Sequence, residues 1–224
     1  MAKEVLDRID QMVQERSLLK HPFYESWNKG ELPLDSLREY ANQYYHFESA
    51  YPTFLSGVHH RCADREIRQL LLSNLWDEEH GDENHVELWL RFCDALDLNR
   101  DGVIKSSPSD ATRQLIDTYH ELTTSSSVSA GVTALYAFES QVPEVAKTKI
   151  VGLKKHYGID NPEAISFFEV HRTLDIEHAE AERAMVQTLT SVTSGVEPGQ
   201  AASDATEAAD TSTKALWSFL DGVY

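Results

Sequence analysis

The chain has 224 residues, 41% hydrophobic and 25% charged, with 20 basic against 37 acidic side chains and a formal net charge of −17. This is the make-up of a soluble globular chain long enough to bury a sizeable core. So negative a charge is repelled by nucleic-acid phosphates and by anionic lipid surfaces, which excludes both as partners, and no stretch approaches the ~20 apolar residues needed to span a membrane.

The first element is amphipathic. Val5, Ile9, Met12 and Val13 share one face and predict a helix near 3–17. This segment has no apolar signal core, so a cytoplasmic location is expected. HPFYESWNKGELP then reads as a short helix or turn closed by Gly30 and Pro33. A long helix is predicted over 35–62, with Asp35 as its N-cap and a kink at Pro52. A second is predicted over 64–96, with Gly81 inside it. LNRDGVIKSSPSD reads as a loop, followed by a helix near 109–123 that TTSSSVS breaks.

AGVTALYAFES is helical, and VPEVAKTKIVGLKKHYG restarts with Pro143 in its first turn. The last strong helix begins at Asn161 as N-cap with Pro162 at the first helical position. Residues 191–213, rich in Ala, Ser and Thr, are expected to be partly flexible, and KALWSFLDGVY supplies a terminal helix that docks. No alternating strand pattern and no internal repeat occur. The prediction is an all-α chain of seven or eight helices forming a single domain over 1–224.

Chemistry concentrates in three places. In HRTLDIEH, His171 and His178 are seven residues apart, close to two helical turns, and Asp175 lies about 40° around the helix from them. All three side chains can enter one cavity. Imidazole with carboxylate suits iron, manganese or zinc, although a surface helix with internal ion pairs, using Arg172 and Glu177, explains the segment as well. In WDEEHGDENHVELW, Glu78 and His85 repeat the seven-residue spacing on a stripe shared with Leu71, Leu75, Leu88 and Phe92. Burying that pair without partners is costly, and a metal relieves the cost; a solvated acidic run is the plainer alternative. Glu139 stands among Val132, Leu135, Tyr136 and Phe138. It can cap the next helix or bridge two ions.

Glu78, His85, Glu139, His171, Asp175 and His178 together offer three carboxylates and three imidazoles. They neutralise most of the charge of two divalent ions, which a bridging carboxylate holds about 3.5–4 Å apart. A ferritin-like alternative uses the pairs Asp82/His85 and Asp175/His178, with Glu48 and Glu139 as single carboxylates, and leaves Glu78 and His171 idle.

This ligand order resembles that of the haem-oxygenase-like dimetal oxidases, which share the TenA/PqqC-like bundle and carry two metals in place of haem. Within that group the sequence is most similar to the CADD-like proteins, from HPFYESWNKGEL through RCADREIRQLLLSNLWDEEHGDENHVELW and LYAFESQVPEVAKTKIVGL to ALWSFLDG. The resemblance implies synthesis of para-aminobenzoate, a folate precursor, by a self-sacrificing reaction. A reduced Fe/Fe or Fe/Mn centre, dioxygen and a reductant take part. Tyr24 supplies the ring, Lys149 the amino group, and Tyr40 matches a further tyrosine of the family. Phe138 and Phe167 stand where the resemblance places tyrosines, so two hydroxyls are missing.

The resemblance allows a homodimer, and without a cysteine-rich tail a death-domain partner is not expected. Three alternatives remain: an oxidase of the same fold acting on an external small molecule, an interaction protein with a vestigial site, and a TenA-like hydrolase. The last needs an activated cysteine, and Cys62 and Cys93 have no CxxC spacing or adjacent base.

Overall fold

The computed structural model describes residues 2–191 and 198–224. Among them there is no strand; the elements are α1 (Ala2–Glu15), a 3-10 turn at Leu18–Lys20, α2 (Pro22–Lys29), α3 (Leu34–Arg61), α4 (Arg65–Glu79), α5 (His85–Ala95), α6 (Arg100–Lys105), α7 (Asp110–Thr124), α8 (Val128–Glu139), α9 (Val142–Gly152), a π-helical turn at Leu153–Tyr157, α10 (Pro162–Leu189) and α11 (Pro198–Val223).

The all-α expectation holds. The segments outnumber seven or eight because short helices form where loops were expected and one long helix is interrupted. The interruption lies at residues 80–84, inside the helix predicted over 64–96. Gly81 takes a left-handed φ of 83°, which glycine adopts without Cβ strain. Asn84 then builds the new start: its side chain accepts from the Glu87 amide at 3.0 Å and donates to the Gly81 carbonyl at 3.0 Å. Asn84 with Glu87 three residues on is an N-terminal signature that the apolar stripe had masked. A second correction concerns α3, which begins at Leu34 after Pro33; Asp35 lies in its first turn and is not the cap. The helix remains continuous through Pro52.

Asn161 caps α10 as expected, accepting from the Glu163 amide at 2.9 Å. Residues 198–213, expected within a partly flexible segment, form the first part of α11, where Ala201, Ala205, Ala208 and Ala209 are buried. Residues 192–197 lie outside the described residues.

The bundle is built around α8. Every residue from Ser129 to Glu139 is buried, and α3, α7, α10 and α11 pack against it. A helix apolar on all sides belongs at the centre of a core. Around it, α3 buries Tyr40, Tyr44, Phe47, Glu48 and Tyr51 on one face, and α10 buries Phe167, His171, Asp175, His178 and Glu182, spaced three or four apart. These two stripes and the end of α8 put polar side chains inside the bundle. No described helix is long and apolar enough to cross a membrane.

Candidate metal centre

Glu78 closes α4 and His85 opens α5, so the turn at Gly81, rather than one helical face, brings them together. Glu78 Oε2 and His85 Nδ1 are 2.8 Å apart, and both residues are buried. His171 of α10 packs against His85 with ring centroids 4.3 Å apart. Its Nδ1 donates to the Phe167 carbonyl at 2.7 Å, which leaves Nε2 as the free donor atom. Glu48 of α3 completes this group. Donor atoms of Glu48, Glu78, His85 and His171 all lie within 4.8 Å of one another.

Glu139, Asp175 and His178 form a second group of the same span. Glu139 is anchored by the Tyr51 hydroxyl at 2.5 Å and the Asn74 amide at 2.9 and 3.1 Å. His178 Nε2 is held by Asp77 at 3.1 Å. Its Nδ1 has no hydrogen-bond partner and faces Glu139 and Asp175, each at 3.7 Å.

Thus all six side chains singled out from the sequence reach one buried region, in two groups. The sequence had offered Glu48 only alongside Asp82, and Asp82 is exposed in the turn. Asp77 and Asn74, which orient His178 and Glu139, carry no spacing signal in LLLSNLWDEE.

The electrostatics of the two groups are those of a site built for cations. Burial, reinforced by Glu78, pushes the Glu48 carboxyl up to about 8. Burial and Asp175 do the same to Glu139, also to about 8. Burial and Glu78 lift Asp175 to about 6, against the pull of its bond to His178. For His85, burial lowers the imidazole, but the Glu78 charge and hydrogen bond outweigh it and raise it to about 9. Like charges at these separations cannot all be ionised inside a protein without a counter-charge. The chemistry of the donor set, the orphan Nδ1 of His178 and the partnerless Oε1 of Glu48 fit divalent iron or manganese.

Next to the two groups lies an aromatic cage. Lys149 of α9 is 4% exposed. Its Nζ donates to the Tyr40 hydroxyl at 2.5 Å and stands 4.7 Å from the Tyr40 ring centre, 5.3 Å from Tyr44 and 5.7 Å from Tyr24. Burial drops the Lys149 ammonium to about 7, opposed only by Glu48. Tyr24 and Tyr40 hydroxyls interact with each other, and burial pushes both above the usual phenol range. Trp27 of α2 reaches this wall because Gly152 has no side chain; a Cβ there would collide with the indole. Tyr24, Tyr40, Tyr44, Phe138, Lys149 and Phe167 line a cavity of about 30 Å³. That is the share of one water in the liquid. Phe167 stacks on His171 at 3.9 Å between ring centres and links cage to metal side. Cys62 and Cys93 are free and buried, and neither lines the cavity.

A family model described as iron-containing redox enzyme, of the haem-oxygenase type, matches residues 38–211. The chain belongs to this family. It is 41% identical over 216 residues to the 4-aminobenzoate synthase of Chlamydia muridarum, covering 96% of this chain and 88% of the relative. It is 38% identical over 226 residues to the 4-aminobenzoate synthase of Nitrosomonas europaea, covering 97% and 89%. Among solved structures, a TenA homologue from Pseudomonas syringae pv. tomato superposes with a TM-score of 0.81 at 14% identity, covering 99% of this chain and 91% of that one. That likeness establishes the fold.

Proposed function

We propose that this chain makes para-aminobenzoate in an oxygen-dependent reaction that consumes its own Tyr24 as the ring source and draws the amino group from Lys149. Two metal ions, Fe/Fe or Fe/Mn, would be held by Glu78, His85 and His171 on one side and by Glu139, Asp175 and His178 on the other. When bound and reduced, such a centre supplies dioxygen activation.

The observation that carries the reading is the placement of Lys149. A lysine buried among three tyrosine rings, with its ammonium lowered to about 7, is a neutral amine for much of its time at physiological pH. Tyr40 fixes its nitrogen, and the Tyr40–Tyr24 hydroxyl contact fixes the ring beside it. The cage excludes water, which keeps the amine unprotonated and protects reactive groups from side reactions. Tyr24 itself lines the cavity, which supports a ring that is already part of the chain. The phenylalanines at 138 and 167 both line this cavity. The proposal requires the reaction to proceed without hydroxyls at those positions.

Isotope labelling tests this. Protein grown with ring-13C tyrosine, purified and reacted with unlabelled iron, manganese, reductant and oxygen, is expected to release fully ring-labelled para-aminobenzoate. Release of unlabelled product, or only on adding an outside aromatic compound, would move the chemistry to an external substrate.

A further inference from the structure

We infer that Glu48 is a direct ligand at the metal position formed by Glu78, His85 and His171, making seven protein ligands where the sequence pattern offers six. The inference rests on the metal-binding part of the proposed function and on nothing about the fate of Tyr24.

Three observations lead to it. First, Glu48 is 3% exposed and its Oε1 has no hydrogen-bond partner. A buried carboxylate kept for structural reasons is given donors, because an unsatisfied one is costly. Glu139 shows this within the same bundle, with the Tyr51 hydroxyl and the Asn74 amide both bonded to it. Oε1 of Glu48 has been left open instead. Second, a Glu48 oxygen lies within 4.8 Å of donor atoms of Glu78, His85 and His171. Among the described residues, Glu182 is the other buried carboxylate with unpartnered oxygens, but it joins neither donor group.

Third, Glu48 completes a balance of charge. The six side chains expected from the sequence carry three carboxylates. Glu48 is the fourth, and four carboxylates match two divalent ions. The resulting sets are unequal. Glu48, Glu78, His85 and His171 present four donors to one ion, while Glu139, Asp175 and His178 present three to the other. The three-donor position keeps more open sites for small molecules, as catalytic metal sites do.

Tyr44, one turn before Glu48 on α3, positions this carboxylate. Its hydroxyl interacts with Glu48, while its ring stands 5.3 Å from Lys149 Nζ and 5.6 Å from the Tyr40 ring. Glu48 is therefore held through Tyr44 while its Oε1 is left without a partner.

The test is an anaerobic titration of the full chain with Mn(II), followed by calorimetry and metal analysis, on wild type, Glu48→Gln, Tyr44→Phe and the exposed control Asp82→Asn. Wild type and Asp82→Asn are expected to bind two ions. Glu48→Gln should weaken one of them at least about tenfold, since losing even an outer partner of a ligand costs 10–100-fold, and leave the other within about twofold. Tyr44→Phe should weaken the same ion by less. Metal-free Glu48→Gln should melt no lower than wild type, because it removes one acid from a crowded cluster. Two unchanged affinities in Glu48→Gln would overturn the assignment. So would equal loss of both ions with a lower metal-free melting temperature, which marks a structural role. Failure of wild type itself to bind metal would sink the metal reading in the proposed function together with this one.

Discussion

Two neighbouring regions of the same core face opposite electrostatic problems. The donor groups crowd Glu48, Glu78, Glu139 and Asp175 together with too few cations of their own. The cage a few ångströms away holds one amine, Lys149, among aromatic rings with only Glu48 to favour its charge. Burial raises Glu48, Glu139 and Asp175 in the first region and lowers the base of the second, so these groups drift towards neutrality. The difference shows what each region awaits. The first gains by taking up positive charge, and the second works by having none. A nitrogen nucleophile and a cation site can then share one water-poor interior without forming a Lys–Glu ion pair that would disable both.

The strongest way to break this division is at the ring. Tyr24→Phe should abolish product while leaving the fold intact, since its hydroxyl contributes one contact within the cage. Chromatography of the small-molecule fraction checks the first outcome and circular dichroism the second.

Next comes the amine. Lys149→Met should also remove the product. It should raise the melting temperature by several degrees at pH 7, because a long apolar chain fits the cage without the cost of desolvating an ammonium. A lower melting temperature would mean that the Tyr40 bond outweighs that cost. In the wild type, single-turnover yield should climb as pH rises through about 7, where Lys149 loses its proton.

The donor region gives a third, smaller effect of opposite sign. Glu48 and Glu139 have folded-state values of about 8 against an ordinary 4.5. The folded protein therefore binds more protons than the unfolded chain between about 4.5 and 8, and stability falls as pH rises through that window. His85 and His178, raised from 6.5 to about 9, act the same way between those values. Lys149, lowered from 10.5 to about 7, recovers some stability as pH rises across its own window. Metal-free protein should thus melt lower at pH 8 than at pH 5. Saturating Mn(II) should lift the pH 8 value by several degrees, in line with about 2.7 kcal/mol at a hundredfold excess over Kd. Thermal melts with metal and with chelator decide it.

The smallest effect tests how the regions are assembled. Gly81→Ala meets no atom within 4 Å but must adopt φ 83°, at a cost of about 1 kcal/mol, or roughly 2–4 °C. Metal affinity should fall modestly too, because this turn sets Glu78 against His85.

These regions also differ in how legible they were. The donors on α10 and at the α4–α5 turn carry regular spacings of four, three and seven, and Glu139 stood out among apolar neighbours. Even so, a turn, not the shared helix face that the seven-residue spacing implied, joins Glu78 to His85. Glu48 has no second donor at helical spacing on α3, so only tertiary packing reveals where it points. Asp77 and Asn74 act across helices, and neither stands out in LLLSNLWDEE. The cage was least legible. Tyr24, Tyr40 and Lys149 come from α2, α3 and α9, and nothing in AKTKIVGL signals that Lys149 is buried. The resemblance to a known group supplied those names, and the fold supplied the distances.

The most direct test of the central claim is intact-protein mass spectrometry of the wild type before and after one turnover with iron, manganese, reductant and oxygen, with peptide mapping of α2 and α9. The account predicts mass losses confined to Tyr24 and Lys149, with at most one para-aminobenzoate released per chain. Repeated release from a chain of unchanged mass would contradict it.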